Sequence, residues 1–506
     1  MKRIILTILL AMLLVPLGLQ AQSKAKKKVK KEQEVPQLMN YPSSEVGKDL
    51  MHGGNVVIKG RLIAQDPKMI EQMSGRFKVI MRDYIVRKEK TSLIEFKPDG
   101  TFSRNVYVPY PMMVLVYPLA EVYACPGDTV DMTIDTTKPT LQEGVIIGGT
   151  GVSSEVSKLT YKIRMAYFPP QQVEISSEQG ADALMKWKDE QVAKLDTLVM
   201  KMNNGLPELK DCSPMASDIL RTYIIRQRLY SIFHQYYLFV DGNKSIDREA
   251  FWQQYFSFVT PREKYLLDNP LLMIAGDEFF FNRMESTLMR PFNDFGMSID
   301  NIRKRIHSEV AEKLHLSPTN FSLQVCTLRE AFNMLKWWKD DYEYAADDVA
   351  NTMQYITHPE LIRRAVLTYR DYVKENELQV IEQKPMTKGD SIFLRIIEPY
   401  KGNVLYVDFW AMSCSPCRAE MLRMRNEVEA NKNKPVKYLY VTSDSPDLCR
   451  PFLEPNNIKG EHIYITASEW GYLQEKFQFS AIPFVALFDK QGKQRKDVTV
   501  EQLLEE

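Results

Sequence analysis

The chain has 506 residues, 44% hydrophobic and 26% charged, with a formal net charge of +1 at pH 7. That length accommodates about three domains, and the near-neutral balance gives no electrostatic case for nucleic acid as a partner. Six cysteines in so long a chain do not make a disulfide scaffold.

Lys2 and Arg3 precede an apolar run over 4–19, and a short small-residue segment ends at Ala21. Charge, length and flank predict a signal peptide over 1–22, cleaved near Ala21, and a mature chain exported to the periplasm or cell envelope. The run is short for a membrane span and is interrupted by Pro16 and Gly18. Residues 23–50 open with Lys24, Lys26, Lys27, Lys28, Lys30 and Lys31, and predict a disordered basic linker that acts as a solvated spacer.

Over 51–152 the pattern is that of strands, at 56–64, 77–84, 93–96, 113–116 and 130–134. The turn signals Pro98-Asp99-Gly100 and Pro126-Gly127-Asp128 separate them, which predicts an antiparallel β-sandwich. Cys125, beside the second turn, reads as a small packed residue before a reactive one.

Over 153–376 the period becomes helical and predicts an all-α domain. Ser213-Pro214 supplies an N-cap with proline at the first helical position, and Ile219, Tyr223, Ile224, Leu229 and Phe233 follow. Similar runs occupy 181–202, 279–289, 323–338 and 359–373. The clusters Tyr236-Tyr237, Phe279-Phe280-Phe281 and Trp337-Trp338 read as an aromatic core in preference to a ligand groove. His234, His307 and His315 stand at no metal-ligand spacing, so no metal site is expected. The polar stretch 375–388, with Pro385, reads as the linker into a last domain at 377–506.

Residues 404–418 read VLYVDFWAMSCSPCR: a central strand covered on both faces, then a turn holding two cysteines, then helical spacing of Met421, Leu422, Met424 and Val428. This puts Cys414 at a helix N-terminus, where unpaired N–H groups and the helix dipole favour a thiolate. Cys417, one turn in, would be the resolving thiol. A structural zinc site would need a second ligand pair, but Cys125, Cys212, Cys326 and Cys449 are isolated. An inert disulfide closing so short a ring contributes little loop-closure stabilisation. Asp408, inside the apolar run, and Ile482-Pro483, opening the apolar run 484–488, both fit a redox site. Asp408 is expected to be buried with a raised pKa, and a cis Ile482-Pro483 bond would be a deliberate feature.

Asp408-Phe409-Trp410-Ala411, Cys414-Ser415-Pro416-Cys417-Arg418, Ile482-Pro483 and Asp489-Lys490-Gln491-Gly492-Lys493 together resemble thioredoxin-fold proteins, specifically the exported TlpA/ResA-type thiol-disulfide oxidoreductases. The resemblance covers about the last quarter of the chain. It implies an α/β thioredoxin-like domain, with Cys414 as the attacking thiol, Cys417 as the resolving thiol, Asp408 as buried proton acceptor and Pro483 as the cis-proline facing them. Trp410, Ser415, Pro416 and Ile482 are the expected substrate contacts. The partners implied are protein disulfides or dithiols and a membrane or envelope electron donor, with no cofactor. Ser413 departs from the pattern, since the family usually has Trp before the first cysteine. A peroxiredoxin is a poorer match, because two cysteines and Trp410 stand where a Thr-x-x-Cys would be expected. Residues 51–152 resemble the β-domain that often precedes thioredoxin modules in exported multidomain proteins. Within the last domain, a second strand is expected at 436–442, an extra helix and strand at 447–453 and 463–465, a last strand within 493–498, and a short helix capped by Thr499 and Gln502. The competing class is a partner-binding protein whose thioredoxin-like domain is a scaffold.

Overall fold

The computed structural model describes residues 52–505, apart from 74–75, 169–174, 243–245, 277, 290–298, 336–341, 378–386 and 497. The expected signal peptide, the whole basic linker, Trp337-Trp338 and most of the 375–388 linker lie outside the described residues.

Among the described residues, eight strands follow one another in the N-terminal part: β1 (Gly54–Ile63), β2 (Lys78–Asp83), β3 (Lys88–Leu93), β4 (Thr101–Val108), β5 (Met112–Tyr117), β6 (Ala120–Ala124), β7 (Thr129–Asp135) and β8 (Val145–Gly149). They form two four-stranded sheets, ordered β4-β1-β7-β8 and β3-β2-β5-β6. The first is mixed, not purely antiparallel as expected, because β1 pairs β7 in parallel from Val57↔Thr129 to Ile63↔Asp135. The chain builds the other sheet between these two strands, which supplies the long connection a parallel pair requires. β1 buries Val56, Ile58 and Leu62 by alternation, and at Gly60 a Cβ would lie 1.9 Å from the Met132 carbonyl oxygen, so only glycine lets the two backbones meet there. The strand expected at 93–96 lies earlier, at β3, whose sequence KEKTSL is too polar to show a period.

The longer helices that follow are α1 (Gly151–Tyr167), α2 (Gly180–Asn203), α3 (Pro214–Gly242), α4 (Arg248–Phe256), α5 (Phe321–Leu335), α6 (Tyr342–Met353) and α7 (Pro359–Glu377). Ser213 caps α3, its hydroxyl accepting from the Ala216 amide at 3.4 Å. The run expected at 279–289 is helical over Glu278–Met284 and widens to a π turn over Glu285–Met289. One continuous apolar core draws on both sheets and these helices. Buried ion pairs tie them as well: Arg329 donates to Glu285 at 2.5 Å and to the Tyr84 carbonyl, and Arg364 pairs with Asp83.

The C-terminal domain comprises α8 (Lys388–Ile397), β9 (Val404–Phe409), α9 (Ser415–Ala430), β10 (Val436–Thr442), α10 (Pro446–Leu453), β11 (Glu461–Tyr464), α11 (Ala467–Phe477), β12 (Phe484–Phe488), β13 (Gln494–Arg495) and α12 (Val500–Glu505). Its sheet has the order β11-β10-β9-β12-β13, with β9, β10 and β11 parallel, β12 antiparallel to β9, and β13 antiparallel to β12. Successive side chains of β9 point to opposite faces. Val404 and Tyr406 join the core under α9, α10 and α12, whereas Leu405, Val407 and Phe409 join the core under α8 and α11. Thr499 and Gln502 cap α12 reciprocally, at 2.8 and 3.3 Å.

The second core backs onto the N-terminal part. β3 is the edge of its sheet, and an exposed edge leaves backbone groups unpaired. Here the Gln478 amide pairs with Thr91 as a strand would, accepting from its N–H at 3.0 Å and donating to its carbonyl at 3.3 Å. Glu475 accepts from Arg104 at 2.7 Å, and buried Lys78 donates to Gln474 at 2.8 Å. Among the described residues, no helix is long and apolar enough to cross a membrane.

Candidate redox site

Cys414 and Cys417 are joined by a disulfide, with Cα atoms 5.3 Å apart. Cys414 is the N-cap of α9, and its sulfur accepts the Cys417 amide at 3.2 Å. Pro416 fits the first turn because its missing N–H would have had no partner inside the helix. Cys414 is 9% exposed and Cys417 fully buried, so an incoming group reaches the first sulfur before the second. Among the described residues, no cluster of three metal-ligating side chains occurs, and Cys125, Cys212 and Cys449 are free thiols.

Asp408 lies on the central strand, opposite Tyr440 of β10 on one side and Val485 of β12 on the other. It is 1% exposed. Burial, with a smaller contribution from the Glu420 carboxylate of α9, pushes its pKa up to about 7. Its Oδ1, the Trp410 indole nitrogen and the Tyr440 hydroxyl are buried with no hydrogen-bond partner among the described residues. A carboxyl group so placed can hold or release a proton near neutral pH.

The Ile482–Pro483 bond is cis. Ile482 is half-buried and packs against the core cluster that contains Cys414, Cys417 and Trp410, while Pro483, Ser415 and Pro416 are exposed. These residues are therefore gathered at one end of the sheet. Trp410 departs from its expected place as a substrate contact: it is fully buried and packs on Phe452 at 6.2 Å between ring centroids. The reason is the period of two, which puts Trp410 on the same inward face as Asp408. Exposed Ser413 leaves no aromatic side chain directly before Cys414.

Two contacts at the site were not singled out from the sequence. Met412 donates its N–H to Asp444 at 2.6 Å, and its carbonyl accepts from the Arg418 guanidinium. Asp444 follows β10 by two residues, and the loops after parallel strands gather at one edge of such a sheet, which is the signal that could have found it. Glu420, the carboxylate nearest Asp408 in its influence, is one helical turn beyond Cys417.

Residues 385–503 match the AhpC/TSA family. The curated thiol-disulfide oxidoreductase ResA of Bacillus thuringiensis subsp. konkukian is 23% identical over 141 residues, covering 27% of this chain and 78% of that protein. ResA of Bacillus cereus is 24% identical over 145 residues, with 27% and 80% covered. Among solved structures, the thioredoxin domain of a thiol-disulfide oxidoreductase from Bacteroides vulgatus is 22% identical, covering 22% of this chain and 79% of that one, with a TM-score of 0.20. A thioredoxin-like protein from Bacteroides caccae is 13% identical, covering 45% of this chain and 90% of that one, also with a TM-score of 0.20.

Proposed function

We propose, from the premise that residues 385–503 form a TlpA/ResA-type thiol-disulfide oxidoreductase domain with the thioredoxin fold, that Cys414-Ser415-Pro416-Cys417 reduces disulfides of envelope proteins. The observation that carries this reading is the Cys414–Cys417 disulfide at the start of α9, with the buried Asp408 carboxyl on the strand that leads into it.

In the reduced protein the Cys414 thiolate, stabilised by the helix N-terminus, attacks one sulfur of a substrate disulfide. The substrate S–S bond breaks, one substrate thiolate leaves, and a mixed disulfide forms. Asp408 takes the Cys417 thiol proton. The Cys417 thiolate then attacks the Cys414 sulfur, closes the intramolecular disulfide and expels the second substrate thiolate. The substrate gains two electrons and the protein loses two, which a dithiol-bearing donor of the membrane or envelope returns. Exposed Ser415, Pro416 and Pro483, with half-buried Ile482, form the rim on which an extended substrate segment would lie.

The division into 51–152, 153–376 and 377–506, and a sandwich arrangement of the two N-terminal sheets, belong to the same proposal, as does export directed by residues 1–22. Their support is the change of hydrophobic period along the chain and the basic-then-apolar start at Lys2 and Arg3. Insulin reduction by dithiothreitol with the purified protein tests the activity. Acceleration that disappears in Cys414→Ala is expected, whereas a rate equal to dithiothreitol alone would favour the scaffold reading, toward which Ser413 in place of the usual Trp points.

A further inference from the structure

We propose that Asp444 and Arg418 are positioning residues that grip the backbone of Met412 from two sides and set, with opposite signs, how readily Cys414 exists as a thiolate. The inference rests on the redox reading above and deepens it.

The turn that delivers Cys414 to the helix is short. It runs from Ala411 to Cys414 and is closed by the Cys414 amide donating to the Ala411 carbonyl at 3.0 Å. Met412, in its middle, is held at both backbone groups: its N–H donates to Asp444 at 2.6 Å, and its carbonyl accepts from Arg418. The backbone that carries each of these side chains is itself anchored. The Asp444 amide donates at 3.1 Å to the hydroxyl of Thr442, the buried last residue of β10. Arg418 is in the first turn of α9, and its amide donates to the Cys414 carbonyl at 3.2 Å. A carboxylate from one element and a guanidinium from another are thus fixed across a turn that ends on the nucleophile.

Neither charge acts on the disulfide, which is neutral. Both act on the thiolate, which the cation favours and the anion disfavours. Stabilising the thiolate stabilises the reduced protein, so the two side chains must pull the dithiol–disulfide equilibrium in opposite directions. The field of Asp444 does reach into this core: Cys449 of α10, buried in the cluster that holds both redox cysteines, is pushed up to about 11 by burial and then by Asp444. Asp408 of β9 and Glu420 of α9 also face this region, and they are unchanged in every variant below.

The test uses the full-length protein equilibrated in glutathione buffers. One protein disulfide and two glutathione thiols give one protein dithiol and one glutathione disulfide. The pH dependence of Cys414 alkylation gives the second readout. Asp444→Asn keeps an acceptor for the Met412 amide but removes the charge. It is expected to lower the Cys414 pKa and to favour the dithiol by roughly threefold or more. Arg418→Gln should do the reverse, and Arg418→Lys should restore most of the wild-type value. Asp444→Ala removes the anchor as well and should slow insulin reduction below the rate of Asp444→Asn. If Asp444→Asn and Arg418→Gln shift both readouts in the same direction, or leave both at wild-type values, the proposal is wrong. If the wild-type protein does not exchange with glutathione at all, it is the redox reading that fails.

Discussion

The two faces of the C-terminal sheet differ in what they bury. The rear face, under α8 and α11, is packed ring on ring: Phe479 on Phe484 at 4.5 Å, Phe393 on Phe488 at 4.8 Å and Phe409 on Phe479 at 5.0 Å between centroids. It also carries the seam to β3. The front face, under α9 and α10, buries Asp408, Tyr440 and Trp410 with a polar atom of each left without a partner among the described residues, beside the two cysteines. A buried polar group that lacks a partner costs about 1–3 kcal/mol. The comparison teaches that packing and docking are gathered on one side of the pleat, which leaves the other free to hold an ionisable group and a reactive pair.

The largest effect that can break this comparison is on chemistry. Cys414→Ala should reduce disulfide exchange to background while leaving the urea midpoint of the reduced protein near wild type. A large loss of stability would mean that the front face is also structural. On the rear, Phe409→Ala should lower unfolding free energy by about 3–5 kcal/mol, because it empties a site enclosed by Trp470, Phe477, Phe479 and Phe484. Urea titration reads it directly, and a change under 1 kcal/mol would show that the ring packing is not what holds the domain.

Asp408→Asn should have the opposite sign on stability. The folded-state pKa is raised to about 7 from an ordinary 3.8, so the ionised form is disfavoured by folding. Relative to the variant, the wild-type protein is therefore most stable below about pH 4, loses stability as pH rises through 7, and has lost up to about 4 kcal/mol above that. Paired urea titrations at pH 4 and pH 8 give the difference, and an equal gap at both would place the carboxyl in an ordinary environment. The same variant should slow resolution of the mixed disulfide at neutral pH. The smallest expected effect sharpens the docking side: Gln478→Asn keeps a residue that tolerates the left-handed backbone at φ 55 but cannot span to Thr91. Amide exchange at Thr91 should quicken by about fivefold, a loss of about 1 kcal/mol, with insulin reduction unchanged.

By itself the sequence determined whatever depends on neighbours along the chain. A proline beside two cysteines before a helical period makes Cys414 an N-cap, Asp408 interrupts an apolar strand, and Thr499 with Gln502 starts a helix, all within a turn or two of backbone. The β3 strand was displaced and β6 and β8 went unread, because polar or short strands carry no period until a partner strand supplies their hydrogen bonds. Only the tertiary structure decided that Asp444 reaches Met412, that β1 finds β7 in parallel, and that Gln478 closes the edge of a sheet 387 residues earlier. Each of these joins groups whose separation along the chain leaves no local pattern, and each is settled by which faces must be buried together and which backbone groups would otherwise go unpaired.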